Sequence, residues 1–293
     1  MLRYVGIIGY GFVGKATAEV FRHNSQLLVI DPKSAPVLEK SDYLDIVRKN
    51  TPIVFVCVPV PTLESRAVDM TIIYDVLDSL ARVGYAGIVV IKSTIPPEQV
   101  HEIYTKYAKD SILKKEGLLD IVYSPEFLRE QHWTEDAVNP RMIILGGDYK
   151  ICRQVQDFYE FNGYLKTRPR VFITSMMEAS LAKYTINTFL ATKVAFFNQI
   201  YKYYTELNEG KEPHYEMWDD FTEMIGSDFR MGISHMKVPG PDGQYGYGGT
   251  CFPKDVKAFI GSDKSGHLSI LREVELANTK IRLTGKAEDS NNS

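Results

Sequence analysis

Gly9-Tyr10-Gly11-Phe12-Val13-Gly14 follows the apolar run Tyr4–Ile8 directly, with its glycines at the spacing GxGxxG. In this pattern the first glycine permits a tight turn and the second lets backbone amides approach a pyrophosphate. The third allows close helix–strand packing. The residues that follow predict a helix through Phe21. Six letters alone say little, because glycines also serve ordinary turns. Asp31 supplies the context: it ends the next strand candidate about 20 residues on, where a carboxylate accepts from a ribose 2′-hydroxyl. An anion there repels a 2′-phosphate, so the pattern prefers NAD to NADP. Lys33 works against that preference unless water solvates it.

Outward from this turn, short runs rich in Val and Ile alternate with gaps long enough for helices. The strand candidates are Tyr4–Ile8, Leu27–Asp31, Ile53–Val58, Ile88–Lys92, Asp120–Ser124 and Met142–Leu145, with Arg170–Ile173 closing the series. Strands alternating with helices predict an α/β, Rossmann-type, doubly wound parallel sheet covered on both faces. This domain is expected over 1–174.

From Ser175 the pattern changes. Ser175 with Glu178 reads as a capping box, and no Gly or Pro interrupts the chain to about Asn208. Ala179, Ala182, Ile186, Leu190, Val194, Phe197 and Ile200 recur at helical spacing. A Gly- and Pro-rich loop is expected from Gly232 to Gly249. Helix is expected again from Phe252 to Arg282, broken around Gly261–Gly266. Residues 175–284 thus read as a long central helix and a small all-helical domain, and the polar stretch 285–293 as a disordered tail.

The chain has 293 residues, 44% hydrophobic and 24% charged, which is ordinary for a soluble globular protein. Its net charge of −3 gives no reason to expect nucleic acid or an anionic membrane as a partner. No run approaches the roughly 18 apolar residues of a membrane span, and the N-terminus lacks the pattern of a signal peptide. The cysteines are three, Cys57, Cys152 and Cys251, without CxxC pairing. Neither a disulfide framework nor a metal site is expected, and a cytoplasmic location is.

The sharpest chemical signal is Gly246-Tyr247-Gly248-Gly249-Thr250-Cys251-Phe252-Pro253-Lys254-Asp255. Pro253 suits a first helical turn, which puts Cys251 at a helix N-terminus. The partial positive charge there, with Lys254 nearby, favours a nucleophilic sulfur anion. The glycines let backbone and substrate come close, and Asp255 falls within one turn of the sulfur. The bland alternative, a small buried cysteine, suits Cys57 and Cys152 better. Lys183 and Asn187 share a face of the long helix. Ser124-Pro125-Glu126-Phe127-Leu128-Arg129-Glu130 follows a strand and offers two carboxylates. Lys92-Ser93-Thr94 ends another strand, where loops face a ligand crevice. Taken singly, each of these reads equally as solvated surface.

In order along the chain, GYGFVG, KSTIPP, SPEFLRE, EASLAKYTINTFLATKVAFFN, Phe229-Arg230-Met231-Gly232 and YGYGGTCFPKD resemble the UDP-glucose and GDP-mannose dehydrogenase family. The resemblance covers nearly the whole chain. It implies an NAD-dependent enzyme that oxidises the C6 hydroxyl of a nucleotide sugar in two steps, with UDP-glucose the first candidate and polysaccharide precursor supply the setting. By position it implies Cys251 as nucleophile and Lys183 and Asn187 as holders of the reacting oxygen. Asp255 would pair with Lys183 and position water, and Glu126 would be the acid/base carboxylate. Thr94 and Glu130 match residues near the nicotinamide and an ordered water. Phe127, Leu128, Arg129, Tyr247 and Gly248 fall in substrate-binding segments, and Arg230 matches an arginine that reaches the nucleotide sugar of a partner subunit. Gly9, Tyr10, Gly11, Phe12, Val13, Gly14 and Asp31 would hold the cofactor.

The residues suit this chemistry independently. A thiolate can add to an aldehyde, and the resulting thiohemiacetal keeps a C–H from which a second hydride can leave. An ammonium and an amide stabilise the oxyanion, and a carboxylate assists hydrolysis of the thioester. Three departures stand out: Val60 where the family commonly has Thr, Gln131 in place of Gly, and a longer interval from Arg230 to Cys251 that contains Pro239 and Pro241. Family members usually continue with a further nucleotide-binding domain, so an idle NAD- or sugar-binding subunit that needs such a domain is the alternative reading. A two-electron β-hydroxyacid dehydrogenase shares the plan but leaves GGTCFPKD unexplained. A homodimer through the long helix is expected, because its apolar face exceeds what a small terminal unit could cover.

Overall fold

The structure, a computed structural model, describes residues 3–32, 42–108, 118–208 and 217–289. Lys33 lies outside them. The chain divides into two compact units, Met1–Leu63 with Val68–Lys183, and Glu64–Ala67 with Tyr184–Ser293. The division falls within the long helix rather than at its start.

In the first unit the strands are β1 (Arg3–Ile8), β2 (Ser25–Ile30), β3 (Ile53–Val56), β4 (Ile88–Ile91), β5 (Asp120–Tyr123), β6 (Met142–Gly147) and β7 (Arg170–Thr174). The helices between them are α1 (Phe12–Phe21), α2 (Tyr43–Arg48), α3 (Thr71–Arg82), α4 (Pro97–Tyr107), α5 (Trp133–Val138) and α6 (Tyr149–Asn162). The sheet order is β2-β1-β3-β4-β5-β6-β7. Each strand matches one sequence candidate to within two residues.

The strands bury alternate residues on opposite faces, as a period of two requires. Val54, Val56, Val89, Ile91, Ile121 and Tyr123 pack with apolar residues of α3 and α4. Ile53, Phe55, Val90, Val122 and Leu145 pack with α1 and α6. Helices on both faces explain why these strands read as continuous Val/Ile runs.

The sheet is not wholly parallel: β6 runs antiparallel to β5, with Val122 opposite Gly147 and Tyr123 opposite Gly146, and β7 is parallel to β6. The connection after β5 carries a 3-10 turn (Glu130–His132) and only the six-residue α5. Trp133 of α5 meets Phe12 of α1 edge-on at 6.0 Å. At about 1.5 Å per residue, α5 is too short to return the chain along the sheet for a parallel crossover.

α7 (Met176–Leu207) begins at the expected cap: Glu178 N donates to Ser175 Oγ at 3.1 Å and Ser175 N to the Glu178 carboxylate at 3.2 Å. Its buried stripe matches the expected one only in part. Ala179 and Phe197 are buried as expected, Ala182, Ile186, Leu190, Val194 and Ile200 are half-buried, and Lys183, Asn187, Ala191, Ala195 and Asn198 are buried instead.

The second unit adds α8 (Met217–Gly226), α9 (Phe252–Ser262) and α10 (Ser269–Asp289). Ala191 and Ala195 of α7 pack with Val256 and Ile260 of α9 and Leu271 of α10. A second cluster joins Phe197, Trp218, Met236 and Val238. α10 continues to Asp289, five residues into the stretch expected to be a disordered tail; 290–293 lie outside the described residues. Gly285-Lys286-Ala287-Glu288-Asp289 holds one glycine and no proline, so the helix propagates through it. Among the described residues no helix is long and apolar enough to cross a membrane.

Candidate active site

The site residues named from sequence fall in both units. In the first, the glycine turn joins β1 to α1. Gly9 has φ +89, and a Cβ on Gly14 would stand 2.0 Å from the Gly9 carbonyl oxygen. Gly11 differs: nothing lies within 4 Å of where its Cβ would be. Gly11 caps α1 without a side-chain hydrogen bond, and the first turn holds no acidic residue. That end is open to an anion, with the helix dipole in its favour. Tyr10 N donates to the Asp31 carboxylate, which ties the end of β2 to the turn. Val13 is half-buried and its carbonyl accepts from Thr17 Oγ1 at 2.9 Å, while Phe12 is partly exposed. A helix N-terminus without a side-chain cap, beside a carboxylate at the end of β2, fits a dinucleotide.

The carboxyl ends of β3, β4 and β5 lie side by side. Lys92 N donates to Val56 O at 2.9 Å and Ser124 N to Ile91 O at 2.8 Å. Thr94 is half-buried in the turn before α4, and Ser93 Oγ donates to Val58 O at 2.6 Å. Beyond β5, Glu126, Phe127 and Leu128 are half-buried. Glu126 forms an ion pair with Lys92, whose side chain is only 5% exposed. The Lys183 ammonium stands 5.1 Å from the centre of the Phe127 ring. Arg129 is turned to the surface, where its guanidinium grips Asp136 through Nε at 3.0 Å and Nη2 at 2.7 Å. Glu130 opens the 3-10 turn, and its side chain lies outside the described residues.

In the second unit Cys251 is exposed and caps α9, with Pro253 in the first turn. Cys57 and Cys152 are buried, and burial pushes the Cys57 thiol up to about 11, with Lys92 and Thr17 opposing. Asp255, 1% exposed, follows Cys251 by one turn, its N–H donating to the Cys251 carbonyl at 2.9 Å. Asn187 Nδ2 donates to Asp255 Oδ2 at 2.6 Å, and Lys254 Nζ to Asp255 Oδ1 at 2.6 Å. Lys254 therefore spends its charge on Asp255.

The loop before Cys251 is held by residues that the sequence reading missed. Asn278 of α10 accepts from Tyr247 N at 2.7 Å and donates to Tyr247 O at 3.0 Å. Asn198 of α7 accepts from Gly246 N at 2.8 Å. Gly248 lies against the Arg282 guanidinium, which also binds Asp242 at 2.9 Å. Asn198 sits eleven residues after Asn187, three turns along one helix face, and that spacing could have pointed to it. Asn278 gave no local signal. Arg230 is exposed and grips Asp228. Lys193 Nζ donates to the carbonyls of Met231 and Gly232 at 2.9 and 2.7 Å, which anchors the Arg230 turn to α7.

Residues 38–161 match the model of the UDP-glucose/GDP-mannose dehydrogenase family, NAD binding domain, and residues 177–280 match that family's central domain. The chain belongs to the UDP-glucose/GDP-mannose dehydrogenase family. The glycine turn precedes the first matched range, yet β1, α1 and β2 supply it in the same sheet. The UDP-glucose 6-dehydrogenase of Rickettsia bellii is 31% identical over 241 residues, 80% of this chain and 50% of its own length. That of Pseudomonas aeruginosa is 30% identical over 309 residues, 94% of this chain and 65% of its own. The chain thus spans about half the length of the first of these relatives and about two thirds of the second. A UDP-glucose dehydrogenase structure from Pyrobaculum islandicum matches with TM-score 0.73 and 23% identity over 96% of this chain and 68% of that one, which shows the shared fold. In the family's terms, the first unit carries the NAD binding domain and the second carries most of the central domain.

Proposed function

We propose that this chain carries the chemistry of an NAD-dependent nucleotide-sugar 6-dehydrogenase that takes a C6 alcohol to a carboxylate, with UDP-glucose as the first candidate substrate. The observation that carries the reading is the exposed Cys251 at the cap of α9, one turn before a buried Asp255 whose two oxygens are bound by Asn187 and Lys254.

The turn at Gly9–Gly14 and Asp31 would hold NAD, with Thr94 and Glu130 near its nicotinamide. NAD held there would supply the hydride acceptor for C6, one molecule for each of the two oxidations. The chain supplies the rest. A base takes the hydroxyl proton as the alcohol becomes an aldehyde, and Cys251 sulfur adds to the carbonyl carbon. Asn187 and Lys183 stabilise the oxyanion of the thiohemiacetal. Loss of the second hydride leaves a thioester on Cys251. Water, deprotonated by Glu126 or by a Lys183–Asp255 relay, attacks its carbonyl, releases the carboxylate and returns the thiolate. Two NADH per sugar balance the four electrons.

The Phe127–Arg129 segment, the Tyr247–Gly248 loop and Arg230 are the sugar-nucleotide contacts in this reading, Arg230 acting on a second copy. The exposed Leu181, Phe189, Phe196, Tyr203 and Leu207 recur along α7 and support a homodimer through it. Light scattering of the purified chain at working concentration should then give twice the monomer mass, and a monomer would refute this pairing.

The central test is NADH released per UDP-glucose consumed, read by absorbance, with GDP-mannose and UDP-N-acetyl sugars in parallel. Two per sugar supports the reading. One per sugar, with free aldehyde as product, would remove Cys251 from the mechanism. Binding of NAD and UDP-glucose without turnover at millimolar sugar would favour the idle-subunit alternative.

A further inference from the structure

We propose that Lys92 is a positioning residue that fixes the Glu126 carboxylate and keeps it ionised, so that Glu126 is ready to take a proton. The proposal rests on the reading of Glu126 as the acid/base carboxylate.

Lys92 directly follows β4, and Glu126 comes three residues after β5, the neighbouring strand. The lysine does not reach for solvent as most lysines do. Its side chain is buried, forms an ion pair with Glu126, and donates to the Tyr159 hydroxyl at 3.3 Å. Its ammonium lies 5.9 Å from the centres of the Phe55 and Tyr159 rings, two aromatic faces that favour a cation. Two other titratable groups face it. Cys57, after β3, is held neutral at pH 7 by burial, and burial also raises Tyr159 of α6 above the usual range. Among the described residues, Glu126 is the anion that meets this ammonium.

A buried ion pair adds little stability over an apolar pair of similar volume. Stability alone does not account for a charge kept here at a strand end that faces the site. An ammonium against a carboxylate does two things: it selects one rotamer of Glu126, and it favours the charged, proton-accepting form. Burial pushes the Lys92 ammonium down, and the Glu126 carboxylate opposes that push by the same pairing that keeps Glu126 ionised.

The test uses the full chain labelled with carboxyl-13C glutamate, Glu126 being identified by the resonance that disappears in Glu126→Gln. In Lys92→Met the main titration of the Glu126 signal should move up by about one to three pH units from its wild-type midpoint. Lys92→Arg, which keeps the charge, should leave it within about half a unit of the wild type. An unmoved midpoint in Lys92→Met overturns the proposal. These readouts need no turnover, so they stand even if the proposed activity fails. Where turnover is present, Lys92→Met should slow release of the carboxylate about 10- to 100-fold in the wild-type background and no more than about 2-fold in Glu126→Gln. Equal losses in both backgrounds would mean that Lys92 acts elsewhere.

Discussion

Asn187 Nδ2 donates to Asp255 Oδ2 at 2.6 Å, a buried bond between α7 and α9 that spans 68 positions of sequence. Lys254 takes the other oxygen at 2.6 Å. The carboxylate is thereby fixed in orientation one turn after Cys251. Asp255→Asn keeps the shape but removes the charge that Lys254 meets, and its amide can set a donor against that of Asn187. A hydrogen bond to a buried charged group contributes about 1.5–3 kcal/mol. The expected outcome is a lower Tm together with a loss of about 10²-fold or more in kcat for the complete oxidation. Thermal unfolding and NADH absorbance check the two effects separately, and an unchanged Tm would mean that the bond carries no net stability.

The three cysteines make a second test possible. Cys251 is exposed, whereas Cys57 and Cys152 are buried, and burial holds the Cys57 thiol neutral at pH 7. Brief alkylation with iodoacetamide at pH 7.5, followed by peptide mass spectrometry, should mark Cys251 alone. Cys57 and Cys152 should react only after denaturation. Cys251→Ser should leave Tm within about 1 °C, since exposed substitutions away from packed features change stability by about 0.5 kcal/mol or less. The same variant should stop short of the carboxylate.

Much of this was legible in sequence, and the reasons are local. The Gly9–Gly14 turn reads correctly because Gly14 cannot carry a Cβ beside the Gly9 carbonyl. Ser175 and Glu178 announce the start of α7 because a capping box needs only residues three apart. What stayed hidden depends on partners far along the chain. Hydrophobic periodicity places Ala179 and Phe197 of α7 in the core as found, but Ala182, Ile186, Leu190, Val194 and Ile200 of the same predicted face are only half-buried, and Lys183, Asn187 and Asn198 are buried more deeply. Polar groups are buried there because Asp255 and Gly246 bind Asn187 and Asn198, and no hydropathy pattern encodes that. The antiparallel turn into β6 was hidden for a similar reason: strand runs look alike in either direction. α8 was missed, and α10 outlasted the reading because a polar stretch without proline can still propagate a helix.

Asn278 offers a test of the loop that carries the cysteine. Its side chain both accepts from Tyr247 N and donates to Tyr247 O, which closes a ring of two hydrogen bonds on one residue. Asn278→Ala leaves two buried backbone groups without these bonds, at about 1–3 kcal/mol each. Asn278→Asp keeps the acceptor and loses the donor, so it should cost less. Tm should fall in the order wild type, Asp, Ala. If the loop positions the sugar, KM for the nucleotide sugar should rise more than KM for NAD in both variants. A parallel rise in both constants would instead mean general loosening of the fold.

The glycine turn allows stability and binding to be separated at two positions three residues apart. Gly14→Ala puts a methyl group 2.0 Å from the Gly9 carbonyl oxygen, a backbone atom that cannot swing aside. The β1–α1 junction must then open, and the expected result is a large drop in Tm or failure to fold. Gly11→Ala meets nothing within 4 Å, and its backbone, φ −74 and ψ −155, is one that alanine adopts. Because glycine caps a helix better than alanine, stability should fall only slightly, by about 0.5–1 kcal/mol. The new methyl group would occupy the open side of the helix N-terminus, where a pyrophosphate approaches. Isothermal titration with NAD should show a Kd raised about 10-fold or more in a protein that remains folded at the titration temperature. A Gly11→Ala protein that binds NAD as the wild type does would place the pyrophosphate away from this turn.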